Sequence, residues 1–449
     1  MSASASASAS RYDSLLDSAS AKVMRHVLPL FLIMFIANYI DRVNVGFANT
    51  HMEADLGLSA AAYGLGSGLF FIGYALFEVP SNMLMQKFGA RAWLTRIMGT
   101  WGLVAGAMAF VQNDTSFYLL RFLLGIAEAG FFPGVVYYFA QWLPQKERGK
   151  AVAIFLAGSA FASVLSGPVT GALLSVRGLG LAGWQWMFLI EGAFSIALCA
   201  ASWLLLKSRI RDAHWLSDEE QGALESYMAR EQAEREAATG AHVPVLRLLR
   251  DPQIVLFCFL YFAIQLTIYA ATFWLPTIIR KMGGLSDFQV GLYNAIPWMI
   301  AIVAMYCFAL LSAKYRFQQG WLALALVIAA CGLFASTSAN PVFSFVAICF
   351  SAIGFKAASS LFWPLPQGYL DARVAAAVIA LINSLGNLGG FFAPATFGYL
   401  QQHTGSIAGG LYGLGVTSLI AAAAAFLARN KPSRRAFVDQ ADSVHRGAH

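Results

Sequence analysis

The sequence predicts an all-α membrane protein of twelve transmembrane helices in two six-helix bundles, and three observations lead there. Of 449 residues, 58% are hydrophobic and 12% charged, roughly half the charged share of a soluble globular chain. Mean hydropathy is +0.62. Twelve apolar runs can be traced, each of roughly 20 residues, the length that crosses the hydrocarbon core as a helix. One polar stretch divides them into six and six. The 40 glycines and 14 prolines agree, since both are commoner in membrane helices than in soluble ones.

In chain order, residues 1–26 open on the low-complexity "MSASASASAS". They have no basic segment followed by an apolar one before a cleavage site, so no secretory leader is expected. They read as a disordered cytoplasmic tail. The first six runs begin at Val27, Ala60, Ala92, Phe117, Ala151 and Trp184, giving an N-terminal bundle over 27–206. Residues 207–252 follow as a polar cytoplasmic linker, "KSRIRDAHWLSDEEQGALESYMAREQAEREAATG" and onward. Within it Ser217 and Glu220 have capping-box spacing and open a short amphipathic helix. The remaining runs begin at Ile254, Gln289, Trp321, Pro341, Ala375 and Ile407, giving a C-terminal bundle over 253–428 and a cytoplasmic tail over 429–449.

Orientation follows from the basic residues, which favour the cytoplasmic side. With the N-terminus inside, 24 of the 30 Lys and Arg fall on tails, linker and inward loops, and three (Arg177, Arg280, Lys281) fall outward. Both termini are therefore expected in the cytoplasm. The net charge of +7 is a topology signal and gives no reason to expect nucleic acid. The halves also echo each other. "WLPQKERGKAVAIF" leads to "SGPVTG", and "PLPQGYLDARVAAAV" leads to "FAPATFG", with a Pro 20 residues after Arg148 and 21 after Arg373. Equivalent positions in two halves suggest a six-plus-six repeat, the pattern of a rocking transporter.

The remaining three basic residues, Arg42, Arg121 and Lys356, lie inside spans, and charge there is costly enough to point to function. Span one carries Asp41 beside Arg42. Span four, "RFLLGIAEAGFFPG", sets Arg121, Gly125 and Glu128 on one helical stripe. At about 1.5 Å per residue, Asp41 lies at a depth between Arg121 and Glu128, so two acids and two bases can share one level. That suits proton coupling: Arg beside a carboxylate keeps it charged, burial favours its protonated form, and an arriving anion competes for the Arg. The alternative for each is a structural salt bridge. Glu191, in "WQWMFLIEGAF", is expected to serve packing or helix pairing. Glu78, with Lys87, Arg91 and Arg148, is expected at a cytoplasmic gate. In the second half Lys356, Ser360 and Trp363 fall on one face of span ten, Asn383 and Asn387 on glycine-rich span eleven, and Gln265 on span seven between Tyr261 and Tyr269. These read as a cavity wall, or else as interhelical hydrogen bonding.

These motifs together resemble the major facilitator superfamily, and within it the anion:cation symporter family. The resemblance runs from about Leu28 to Leu427 and rests on "NYIDRVNVGFA", "RFLLGIAEAGFFPG", "WLPQKERGKA", "WMFLIEG" and "ALINSLGNLGGFFAP". It implies that Asp41 and Glu128 are the protonatable acids, with Arg42 and Arg121 their partners. It also implies that Tyr39, Tyr74, Ser360, Trp363 and Asn383 line a sugar-acid pocket. Members carry sugar acids, tartrate, phthalate or hydroxyphenylacetate, mostly with protons. This chain departs from the pattern at Gln86, where an Asp is usual, and at Lys356, where a small apolar residue is usual.

The expectation is thus a proton-coupled symporter of the bacterial inner membrane. It would import a small organic anion (sugar acid, dicarboxylate or aromatic acid) by alternating access, as a monomer in lipid. Protons are the coupling ion, and no cofactor or metal is expected. An exchanger or uniporter on the same fold is the alternative. A membrane enzyme or receptor is remote, because none of the seven histidines lies deep in a span and the longest loop is too short for a catalytic domain. The five cysteines show no metal-type spacing and read as small core residues.

Overall fold

A computed structural model describes residues 2–237, 251–315, 317–370 and 372–429, and side chains within them except 2–10, 235–237 and 372–377. The Lys and Arg residues of the expected C-terminal tail beyond Arg429 lie outside the described residues.

The described secondary structure is helical apart from a lone bridge between Gly178 and Leu181. In order the helices are α1 Ser2–Leu56, α2 Ala60–Phe88, α3 Ala90–Ala107, α4 Asp114–Glu128, α5 Phe131–Trp142, α6 Gln145–Leu174, α7 Gly183–Leu205 and α8 Asp218–Ala237. There follow α9 Pro252–Arg280, α10 Asp287–Tyr315, α11 Gln318–Ala335, α12 Pro341–Phe362, α13 Pro364–Tyr369, α14 Ala372–Asn387, α15 Gly389–Thr404 and α16 Ala408–Ala425. Among the described residues, eleven helical segments are long and apolar enough to cross a membrane, with α4–α5, α12–α13 and α14–α15 each running as one. The twelfth expected span is α3, which carries Arg91 and Arg96 in its first two turns and is extended by a 3-10 turn over Met108–Phe110.

Several spans are broken helices, and the breaks have local causes. Between α4 and α5 Gly130 sits at φ +90°, a left-handed conformation that glycine adopts without strain. α13 begins with Pro364, which cannot continue a helical hydrogen-bond ladder.

The chain forms two units, Met1–His51 with Ile72–Thr239, and Met52–Phe71 with Gly240–His449. The second unit thus takes in the end of α1 and the first part of α2. In the first unit α3 packs along α7 and against α4. The α3–α7 crossing is close: a Cβ added to Gly192 would lie 2.6 Å from the Gly106 amide nitrogen and 2.7 Å from the Gly102 carbonyl oxygen. In the second unit α9 touches α12, α14, α15 and α16, while α12 packs on α10 and α11. The segment Met52–Phe71 joins that unit, and Tyr63 donates its hydroxyl to the Phe273 carbonyl at 3.2 Å.

The N-terminal stretch departs from the expected disordered tail. It is helical and continuous with α1, and from Arg11 onward it lies on α8. Arg11 pairs with Glu219 at 2.9 Å and Lys22 with Glu220 at 2.8 Å. Ser18 donates to Glu220 at 2.7 Å, and the His26 ring stacks on Trp215 at 4.5 Å. Low complexity ends at residue 10, and alanine is the best helix former. The partner that holds residues 11–26 is 200 positions away in the chain, beyond the reach of local pattern. The linker's capping box is formed, with Ser217 N–H donating to Glu220 and Glu220 N–H to Ser217 Oγ.

Candidate functional site

In the first unit the intramembrane charges gather around α1. Asn38, Asp41 and Asn44 follow at three-residue spacing, so they share one face, and all are buried. Arg42 sits beside that face and donates from Nη2 to Glu128 Oε1. Its guanidinium also lies over the Tyr74 ring, 5.4 Å from the centroid. Glu128 is the last residue of α4 and has no solvent exposure. The carbonyl end of a helix disfavours negative charge, so a carboxylate placed there needs its cation.

Asp41 is held differently. Its Oδ2 accepts from the Trp101 indole of α3 and its Oδ1 from Asn44 Nδ2 at 3.1 Å. The same Asn44 Nδ2 donates to Glu191 Oε2 of α7. Arg121, fully buried, and Glu128 act on Asp41 electrostatically. The four residues expected to form a proton-coupling group are therefore brought into one neighbourhood, with Glu128 rather than Asp41 taking Arg42 directly. Three further residues join this neighbourhood. Trp101 and Asn44 escaped the sequence reading, since they carry no charge to mark them. Glu191, expected to serve packing or helix pairing, links α7 to α1 through Asn44.

The expected gate residues lie on separate contacts in this structure. Glu78 lies one turn beyond Tyr74 on α2, half-buried and within electrostatic range of Arg42. Arg91 donates to the Trp203 carbonyl at the end of α7 and stacks on that indole. Lys87 lies over Phe88. Arg148 donates to the Leu143 carbonyl at 2.9 Å and pairs with Glu231 of α8 at 3.0 Å. Arg91 and Arg148 thus fasten helix ends and the linker helix.

In the second unit Lys356 of α12 points its Nζ over the Trp298 ring of α10, 5.2 Å from the centroid. A desolvated ammonium over an indole is an attractive pair. Gln265 of α9 donates to Asn387 Oδ1 of α14 at 3.2 Å, so these two couple helices. Trp363, at the joint of α12 and α13, is half-buried and packs 4.8 Å from Tyr261. Ser360 donates back to the Ala357 carbonyl at 2.9 Å. Asn383 and Tyr39 are half-buried. Trp298 is the residue the sequence reading missed here, because an aromatic in an apolar span gives no signal of its partner.

Helices of membrane-spanning length, with buried charges grouped inside one unit, define a polytopic membrane protein. The Major Facilitator Superfamily model matches residues 30–394, and the chain belongs to that superfamily. It is 43% identical over 395 residues to a quinolone resistance transporter of Acinetobacter baumannii, covering 88% of this chain and 91% of that protein. It is also 43% identical over 404 residues to an Agrobacterium vitis protein named for tartrate transport, covering 89% and 92%. The inner membrane transport protein RhmT of Escherichia coli is 34% identical over 417 residues, covering 92% and 96%. Among solved structures, a bacterial homologue of the lysosomal transporter Spinster aligns with TM-score 0.75 at 17% identity, over 90% of this chain and 96% of that one. The D-xylose–proton symporter aligns with TM-score 0.70 at 16% identity, over 90% and 97%. At such identity these two establish the fold alone. The chain is a multi-pass membrane transporter and not an enzyme.

Proposed function

We propose that the protein imports a small organic anion together with protons. The observation that carries this reading is the buried Arg42–Glu128 pair in the first unit. An arriving carboxylate competes with Glu128 for the guanidinium. Displaced from its cation and enclosed, Glu128 is then best accommodated by a proton. Anion binding and proton binding thereby become one event, as alternating-access coupling requires. Asp41 is the second acid and Arg121 the second buried cation. Tyr39 and Tyr74 supply ring and hydroxyl around the first-unit Arg. In the second unit Lys356, on Trp298, is an anion-recognition group of its own, with Ser360, Trp363 and Asn383 as further contacts and Gln265–Asn387 as a helix coupling.

The similarity to proteins named for tartrate transport supports an organic anion. Bacterial relatives, one named an inner membrane protein, support the inner membrane as its place. The lopsided basic residues support cytoplasmic termini. The working unit is a single chain in lipid.

The test uses proteoliposomes that enclose a pH dye. Sugar acids, dicarboxylates and aromatic acids are added outside, with Asp41→Asn as the control for acids that cross lipid unaided. Internal acidification with one class, absent in the variant, is the expected result. Exchange of labelled substrate without acidification overturns symport and leaves an exchanger. A second reading, transport of a quinolone, is favoured by the Acinetobacter relative. Quinolones are themselves aromatic carboxylic acids, so one belongs in the same panel.

A further inference from the structure

We propose that Glu191 is an additional proton-binding side chain, sharing one proton with Asp41 across the amide of Asn44. The inference rests on the proton-coupled reading above and extends it to a residue on α7.

The geometry is a three-membered chain. Asp41 is 2% exposed, Asn44 0% and Glu191 8%. One amide nitrogen, Asn44 Nδ2, donates to Asp41 Oδ1 at 3.1 Å and also to Glu191 Oε2. Two carboxyl groups therefore stand one side chain apart, out of water, with a neutral bridge. The amide satisfies one oxygen of each acid and supplies no charge. Two carboxylates in that relation titrate as a pair, and the pair does not hold two negative charges in a low-dielectric interior.

Two unsatisfied atoms fit the same account. Glu191 Oε1 and Asn44 Oδ1 are both buried without a hydrogen-bond partner among the described residues. A carboxylate oxygen left so is costly, whereas a protonated one is a donor in search of an acceptor. If the Asn44 amide turns over, Oδ1 accepts from a protonated Glu191. An amide that presents its NH₂ in one state and its carbonyl in another can follow the proton between the two acids.

Among the described residues, no cation pairs with Glu191. On α1 the acid facing it is Asp41, with Arg42 committed to Glu128. On α4, Arg121 and Glu128 face Asp41. On α3, Trp101 donates to Asp41, Arg91 serves the far end of α7, and Arg96 lies over Trp93. α6 packs on α7 and carries no charged residue from Ala151 to Leu174. Glu191 is also held in place by its neighbour: Gly192 makes the close crossing with α3. The α7 backbone that carries Glu191 is thereby fixed against α3.

The experiment takes the full chain in proteoliposomes. Glu191→Gln retains size and hydrogen bonding but cannot titrate, and Glu191→Asp restores an acid. Proton influx per anion is measured from dye and labelled substrate together. A buried protonated carboxyl is read independently by infrared absorption of its carbonyl stretch. We expect the wild type to show that band at neutral pH and Glu191→Gln to lose it. Glu191→Gln should also keep substrate exchange while its proton-to-anion ratio falls, with Glu191→Asp recovering the ratio. A wild type that couples protons, beside a Glu191→Gln variant with unchanged band and ratio, overturns the inference alone. A wild type that moves no protons with any anion overturns the underlying reading instead. Should Glu191→Gln fail to fold, the wild-type band decides: its absence across the neutral range removes the shared proton.

Discussion

Consider breaking the Arg42–Glu128 pair from either side. The two partners are unequally enclosed, with the Arg42 side chain 21% exposed and that of Glu128 0%. Arg42→Gln therefore strands a carboxylate in a dry position at the carbonyl end of α4. Removing one member of a buried pair costs about 3–5 kcal/mol, mainly because the other charge remains without compensation. Glu128→Gln leaves the cation instead. Arg42 still reaches water through its exposed part, still faces the Tyr74 ring, and can still donate to an amide oxygen. The loss is then closer to that of one charge-assisted hydrogen bond made neutral, about 1–2 kcal/mol. The gap of about 2 kcal/mol corresponds to about 4–8 °C in apparent melting temperature for a unit of this size. The assay is thermal unfolding in detergent at a fixed scan rate, run on wild type, both single variants and the double variant. Arg42→Gln should melt lower than Glu128→Gln, and the double variant should be no worse than Arg42→Gln, since Glu128→Gln removes the stranded charge. Equal single losses that simply add in the double variant would refute the reasoning, because they would mean the two side chains do not depend on each other.

Other consequences follow from single contacts. Gly192→Ala places a methyl 2.6 Å from the Gly106 amide nitrogen, so the α3–α7 crossing must open, at about 1–3 kcal/mol. Gly222→Ala in α8 meets nothing within 4 Å and should stabilise by about 0.4–1 kcal/mol; a melting comparison checks both. Lys356→Met removes the charge over Trp298 at similar length and should weaken uptake of dianions by about tenfold or more, with monoanions less affected, as read from competition against labelled substrate. At the α1–α8 contact, burial opposes the charged form of Glu220, but hydrogen bonds from Lys22, Ser18 and the Ser217 amide outweigh it and hold the carboxyl down at about 2. A depressed value stabilises above the ordinary carboxylate range and is lost as pH falls towards the depressed one. Hydrogen-exchange protection of residues 11–26, corrected for intrinsic rates, should therefore be constant above about pH 5 and decline towards pH 2, and Glu220→Ala should remove it at neutral pH.

Much of this architecture was readable because lipid imposes long apolar helices, and a charge inside one stands out against them. Asp41, Arg42, Arg121, Glu128 and Lys356 were visible on that ground alone. What stayed hidden was pairing. Trp101 and Trp298 look like any apolar aromatic until the helix opposite is known. Asn44 is one polar residue in "RVNVGFA". Arg91 and Arg148 carry the right charge for a gate, yet their partners, a carbonyl at the end of α7 and a carboxylate on α8, come from parts of the chain that no local pattern connects to them. The helical N-terminus was hidden for the same reason, because Glu219, Glu220 and Trp215, which contact residues 11–26, lie far along the chain.

The juxtaposition of Asp41 and Arg42 shows how sequence proximity misleads at this scale. Neighbouring residues on a helix point about 100° apart. Asp41 accordingly turns to Trp101 of α3 and, along α1, to Asn44, whose amide reaches Glu191 of α7, while Arg42 turns to Glu128 of α4 and Tyr74 of α2. One helical turn of α1 thus feeds two networks of different chemistry. On one side an acid is balanced by a cation, which on the proposed function a substrate anion takes away. On the other, two acids share a neutral amide, where the balancing charge on the inference above is a proton. Because both networks are rooted in adjacent residues of the same rigid turn, a shift of α1 that loosens one must reposition the other. On the proposed function, that is the route by which anion binding at Arg42 would reach the Asp41–Glu191 pair. It predicts that Asn44→Leu, which removes the bridge without touching Arg42, spares anion exchange while lowering the proton-to-anion ratio. Loss of exchange in correctly folded Asn44→Leu would show that the two networks are one site.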